Sequence, residues 1–305
     1  MGPNLSAPPA RRTRSTRSLL RRRVGASLCV LTCLVLLSGC STATIDQWKR
    51  MGLPESASAS APKMEALWVG AWIAAWIVGF LVWGLIIWAM VRYRRRADDE
   101  IPTQVRYNLP IEVLYTVAPF VIIFVLFYHT VVTQEEMLPE NQPGQEQILV
   151  VGQQWSWSFN YLGQNGQDEP GAAGGDDVFT VGTPAEDPDL YLPVDTPVKF
   201  RLRSPDVIHS FWVPAFYFKM DVVPGRENTW ITTPTREGTY AGKCAELCGL
   251  EHSRMLFNVR VVSQAEYEQH LQSLRADGNT GVVLGGTESD EIAGLEPENG
   301  NGAPE

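Results

Sequence analysis

Cysteine is scarce. Five in 305 residues are too few for a disulfide-stapled scaffold. Acids are missing from the first 23 positions, which carry seven arginines, so removing that stretch takes the net charge from −9 to −16. An acidic mature chain does not neutralise phosphates, which excludes DNA and RNA as partners and favours a basic protein. No Cys-x-x-Cys-His run is present to hold haem covalently, and no internal repeat is apparent. Charge is also missing from two long runs, which excludes an ordinary soluble domain over that part of the chain.

Arg11, Arg12, Arg14, Arg17, Arg21, Arg22 and Arg23 precede the uncharged stretch 24–39, the pattern of a signal peptide and too short for a membrane span. The stretch ends Leu37-Ser38-Gly39-Cys40, which resembles a bacterial lipobox. The expectation is a leader over 1–39, with Cys40 becoming a lipidated N-terminus. Cys29 and Cys33 would leave with the leader. A Ser-, Ala- and Pro-rich linker is expected over 40–63.

Residues 66–91 are uncharged and include Trp68, Trp72, Trp76, Trp83 and Trp88. At about 1.5 Å per residue, such a helix exceeds the roughly 30 Å hydrocarbon core. A second uncharged run, 113–133, contains Pro119, which a membrane helix tolerates. A transmembrane hairpin over 64–133 follows. Its loop holds Arg92, Arg94, Arg95, Arg96 and Arg106 against three acids, which keeps the loop cytoplasmic and puts both ends outside. A lipid on Cys40 requires the same side. His129, near the outer end of the second helix, reads as an interfacial residue.

The rest reads as one extracytoplasmic β domain over 134–275. Trp155, Trp157, Phe159 and Tyr161 alternate with Ser156, Ser158 and Asn160, predicting a strand with one apolar face. Val198, Phe200 and Leu202 alternate with Lys199, Arg201 and Arg203. Short β-prone runs punctuated by Gly, Pro and Asn then point to a sandwich or a small Greek-key barrel. Residues 163–177 read as a polar insertion and 276–305 as a disordered acidic tail. Ser263 and Glu266 form a capping box for a helix ending near Arg275, on which His270 is expected to be a solvated surface residue.

One run carries chemistry: Cys244, Cys248, His252 and Met255, spaced C-x3-C-x3-H-x2-M, with His209 some 35 residues upstream. Thiolate with thioether favours copper over magnesium or calcium. One Cys, two His and a Met suffice for a mononuclear copper site, and the second Cys allows both thiolates to bridge two coppers. Such a centre suits electron transfer, because sharing one electron over two metals changes each bond little. A disulfide, a thiol pair that hands copper on, and a Cys2His2 zinc site that leaves Met255 idle remain alternative readings.

Five blocks carry a resemblance. They are Pro-Ile-Glu-Val-Leu-Tyr-Thr-Val-Ala-Pro at 110–119, Gly-Gln-Gln-Trp-Ser-Trp-Ser-Phe-Asn-Tyr at 152–161, Asp-Val-Ile-His-Ser-Phe-Trp-Val-Pro at 206–214, Lys-Met-Asp-Val-Val-Pro-Gly-Arg at 219–226, and the cysteine loop. Together, over about 64–270, they resemble subunit II of cytochrome c oxidase. The resemblance implies a two-helix transmembrane hairpin followed by an all-β cupredoxin-like Greek-key barrel in a bacterial cell membrane. It also implies a binuclear copper centre, CuA, bridged by Cys244 and Cys248. His209 and Met255 would complete one copper, and His252 and the Glu246 carbonyl the other. The Glu246 side chain would reach a magnesium shared with catalytic subunit I, with Asp221 near it. Haem would sit only in partner subunits.

Trp155 matches the position at which cytochrome c, soluble or membrane-bound, delivers its electron, and Asp206 matches an acidic docking surface. Trp157 reads as ordinary strand packing. The sequence departs from many relatives at Gln153, where His is common, at Ser156, where an aromatic is common, and at Asn160, where an acid is common. The implied function is electron transfer from cytochrome c to haem for oxygen reduction coupled to proton translocation.

Overall fold

The computed structural model describes residues 42–96, 101, 104–139, 146–163 and 176–285. The leader, Cys40, most of the 163–177 insertion and the tail past residue 285 lie outside these. The chain divides into two compact units, Met1–Lys49 and Arg50–Glu305. In the first, helix α1 (Thr42–Lys49) occupies part of the expected linker, with Lys49 Nζ 2.8 Å from Asp46 Oδ1. No proline or glycine interrupts this stretch, so nothing local prevents a helix.

In the second unit, α2 (Ala61–Arg92) and α3 (Leu109–Met137) are long and apolar enough to cross a membrane. Both extend past the expected 64–133. Pro62 fits the first turn of α2, where its missing N–H costs nothing. At α3, Asn108 Oδ1 accepts from Ile111 N, and Glu112 Oε1 accepts from Asn108 N at 2.8 Å, a reciprocal cap. Trp72, Trp76, Trp83, Phe120, Phe124 and Phe127 point outward, so these helices require lipid or protein around them. Lys63 and Glu136 pair at 2.9 Å where the two helices meet the β domain.

That domain is a sandwich of two five-stranded sheets. One contains β1 (Glu146–Gln153), β2 (Ser156–Leu162), β3 (Val178–Val181), β5 (Val198–Arg203) and β8 (Asn228–Thr232), in the order β3-β2-β1-β5-β8. The other contains β4 (Asp189–Pro193), β6 (His209–Val213), β7 (Phe218–Val222), β9 (Gly238–Cys244) and β10 (Leu256–Val262), in the order β4-β10-β9-β6-β7. The pairs β1/β5 and β10/β4 are parallel and the others antiparallel, so the chain crosses between sheets as in a Greek key. On β5, Val198, Phe200 and Leu202 point inward as their alternation requires. Trp157, Phe159, Phe200, Phe211, Trp230 and Phe257 fill the space between the sheets. Each such side chain stabilises the fold by roughly 1.5–3 kcal/mol through burial.

Five expectations need correction. The polar face of β2 is buried as well as the apolar one. Part of the expected tail covers it: Val282 and Leu284 pack on Leu149, Val151 and Leu162, while Asn160 Oδ1 accepts from Val283 N at 2.6 Å. Residues 277–285 are therefore part of the sandwich. The end of the expected linker is no spacer either. Ala57 is fully buried in the core, its N–H bonds Ala215 O, and its carbonyl accepts from Thr235 N. The small side chains that read as a linker are what allow the backbone to lie this close. Among the described residues, the first strand of the sandwich starts at Glu146, and residues 134–137 belong to α3.

His270 is half-buried and not fully solvated. On α4 (Gln264–Ala276), whose start is capped by Ser263, its ring stacks on Tyr191 at 3.8 Å. Its Nε2 is buried without a hydrogen-bond partner.

Candidate metal centre

Strands β6 and β9 are neighbours, with Phe211 opposite Cys244, which carries His209 to the end of the sheet where β9 stops. The chain then loops from Cys244 back to β10. Cys244 N donates to Met255 O at 3.0 Å, closing the loop at its base. A single turn, His252–Arg254, returns His252 toward the cysteines.

The five side chains expected as ligands converge. Cys244 Sγ lies 3.9 Å from Cys248 Sγ and 3.9 Å from His209 Nδ1. Cys248 Sγ lies 3.6 Å from His252 Nδ1 and 3.7 Å from Met255 Sδ. The Glu246 carbonyl stands 3.2 Å from Cys244 Sγ. His209, Cys244, Cys248 and Met255 are buried. Two imidazole nitrogens, two sulfurs of one kind and one of another thus surround a space small enough for one or two ions. At 3.9 Å the thiols are free and well beyond the roughly 2.05 Å of a disulfide.

The thiols titrate as a pair. Burial pushes the Cys244 thiol up, but hydrogen bonds from His209 and from the backbone of Glu246 and Ser210 prevail and bring it down to about 6. Burial, together with the charge on Cys244, pushes Cys248 up to about 12. The site therefore gives up one proton readily and resists the second until a cation replaces it.

Asp206 is exposed, and its carboxylate also reaches this chemistry. Its Oδ1 is 2.9 Å from His209 Nε2 and accepts from Val207 N at 2.6 Å, while Oδ2 accepts from Gln154 N at 2.7 Å. Burial alone would raise its pKa, yet these bonds hold it below the usual carboxylate value. Burial lowers the His209 pKa, and the bond to Asp206 more than restores it.

Trp155 sits in the turn between β1 and β2, half-buried against the cysteine loop. Gly249, at φ +128°, is the contact point, where a Cβ would come 3.0 Å from Trp155 Nε1. Trp157 is fully buried, its indole edge-on to His209, Phe211 and Phe257. The Glu246 side chain and Asp221 are exposed and lie outside the donor group formed by His209, Cys244 and Cys248. A groove lined by Trp212, Lys219, Lys243 and His252 opens beside the centre, with the Lys243 ammonium 4.5 Å over the Trp212 ring. Gln154, which nothing in the sequence singled out, bonds Cys248 O through Nε2 at 2.7 Å. An uncharged residue next to a strand end carries no periodicity signal that would have found it.

Residues 147–262 match the family described as cytochrome C oxidase subunit II, periplasmic domain, and residues 46–130 match cytochrome C oxidase subunit II, transmembrane domain. A probable cytochrome c oxidase subunit 2 of Streptomyces coelicolor is 44% identical over 302 residues, covering 90% of this chain and 93% of that protein. Cytochrome c oxidase subunit 2 of Mycobacterium tuberculosis is 37% identical over 296 residues, covering 81% and 80%. Among solved structures, the periplasmic domain of subunit II of cytochrome oxidase of Bradyrhizobium japonicum is 27% identical, with a TM-score of 0.38, covering 46% of this chain and 99% of that one. With both of its parts matched and relatives this similar along most of its length, the chain belongs to the cytochrome c oxidase subunit II family and is a membrane-protein subunit of a haem–copper oxidoreductase.

Proposed function

We propose that this chain is the electron-accepting subunit of its oxidase, with a binuclear copper centre held by Cys244, Cys248, His209, His252, Met255 and the Glu246 carbonyl. The donor set fits that group. Two thiols 3.9 Å apart can each face two ions, each with its own imidazole, and a thioether and a carbonyl stand ready as weaker ligands. When bound, the copper pair supplies a one-electron redox couple spread over two metals and two sulfurs.

The protein's own residues do the rest. Asp206 holds His209 by Nε2, so that Nδ1 faces the sulfurs. Trp157, Phe211 and Phe257 keep water from the inner side and make the scaffold stiff. Trp155 takes up electrons from cytochrome c. The chain then passes them to haem in catalytic subunit I, where oxygen is reduced to water and protons are translocated. Glu246 would reach a magnesium at that subunit boundary. The hairpin anchors the domain outside the cytoplasm, and a lipid on Cys40 would hold the N-terminus on the same side.

The observation that carries this reading is the burial of both thiols, Cys244 at 6% and Cys248 at 3% exposure, among two imidazoles and a thioether. A protein that hands copper to another needs its thiols within reach of the recipient, and a structural zinc site has no use for Met255. Metal analysis and electron paramagnetic resonance on the purified oxidase test it. Two coppers on this chain sharing one unpaired electron are expected; one reversibly bound copper, or a disulfide, would assign the chain to copper handling.

A further inference from the structure

Gln154 bonds in two directions. Its backbone N–H donates to Asp206 Oδ2 at 2.7 Å, and its side-chain Nε2 donates to Cys248 O at 2.7 Å. Asp206 in turn holds His209, and Cys248 belongs to the donor group. One residue of the β1–β2 turn therefore joins the surroundings of His209 to those of Cys248. The next residue is Trp155.

Otherwise Trp155 is held by packing alone. Its Nε1 is buried with no hydrogen-bond partner, and it rests on Gly249, where even a Cβ would press to 3.0 Å. Packing contact of that kind is non-directional and fixes no orientation. The Gln154 amide is directional, and a partly buried carbonyl left without its donor costs free energy. The same Gly249 contact point lies 3.0 Å from Gln154 Nε2. Both side chains thus seat on the backbone that follows Cys248.

We propose that Gln154 is a positioning residue that locks the Trp155 turn onto the cysteine loop, so that electron uptake and the ligand loop form one rigid unit. This rests on the reading of Trp155 as the point of electron uptake. The backbone bond to Asp206 survives any side-chain change, so substitution at 154 severs the Cys248 link while leaving His209 oriented.

The test uses the full chain in its assembled oxidase, with Gln154→Ala and Gln154→Glu. The second keeps the volume and replaces the donor by an acceptor. Copper content should stay at the wild-type value in both. Electron uptake from a soluble cytochrome c, followed by rapid mixing, should slow about tenfold, as expected when a reacting group loses its fixed position. In the metal-free chain, amide hydrogen exchange across 244–252 should quicken about fivefold, the worth of one lost hydrogen bond. Uptake and exchange that match wild type in both variants would overturn the proposal. Trp155→Ala is run alongside: if it slows uptake while the Gln154 variants do not, the lock is wrong and the uptake point stands, whereas indifference of all three removes the uptake point too.

Discussion

His209 turns one ring nitrogen to each of two neighbours: Nε2 is 2.9 Å from Asp206 Oδ1, and Nδ1 is 3.9 Å from Cys244 Sγ. An ionised carboxylate only accepts, so the proton of the neutral ring belongs on Nε2 and the lone pair of Nδ1 faces the sulfurs. Asp206→Ala should therefore weaken copper binding by about 10- to 100-fold, the usual effect of removing a carboxylate behind a ligating His. Competition titration with a chelator measures it, and an affinity equal to wild type would show that the ring is oriented without Asp206.

The paired thiols set how binding responds to pH. At pH 7, with Cys244 near 6 and Cys248 near 12, one thiol is already ionised and the other is not. Copper must displace the Cys248 proton, and also the Nδ1 proton of His209 while the raised pKa of that ring keeps it charged, so affinity should rise with pH through the neutral range by at least about tenfold per unit. Cys248→Ser should abolish the two-copper stoichiometry and lower the slope by one proton. An affinity independent of pH would mean that neither Cys248 nor His209 gives up a proton on binding.

Trp155→Ala should slow turnover with cytochrome c while copper content stays normal. The indole rests against the backbone at Gly249 and bonds to no ligand, so its loss removes the proposed uptake point without removing a donor. Unchanged turnover would place uptake on another surface.

What the sequence disclosed depended on how locally each feature is written. Cys244, Cys248, His252 and Met255 lie within one turn-rich loop, so residue type and spacing were enough. His209 is 35 positions away, and only the β6–β9 pairing explains why it belongs with them. The membrane helices announce themselves by the absence of charge. Asn160 misled, because a polar residue at an alternating position reads as solvent-facing. Only the fold shows residues 282–284 returning to cover it. Ala57 misled for the complementary reason: the small side chain that suits a flexible spacer also suits a backbone buried against another.

Asn160→Leu tests that cover. The native side chain donates from Nδ2 to Leu149 O and Val283 O and accepts from Val283 N, all on a residue with no exposed surface. Leucine fills the volume and leaves these groups unpaired, at a cost of about 1–3 kcal/mol for a buried unsatisfied polar group. The transition temperature should fall, and amide exchange over 279–285 should rise more than elsewhere. A uniform change would mean the segment is held by Val282 and Leu284 alone.

His270 should make the sandwich acid-sensitive. Burial holds its pKa below the ordinary histidine value, and nearby Asp189 opposes this only in part. The unfolded chain takes up a proton near the ordinary value, and the folded chain only at lower pH. Between the two, the unfolded state binds more protons, so stability is complete above the ordinary value and is lost as the pH falls below it. The ring cannot charge in place without cost, since its Nε2 is buried without a partner and its face lies against Tyr191. His270→Phe keeps the stack and removes the titration. Thermal unfolding of the detergent-solubilised chain between pH 7 and pH 5 should therefore show a steeper loss for wild type than for the variant, and equal slopes would assign the acid sensitivity to other groups.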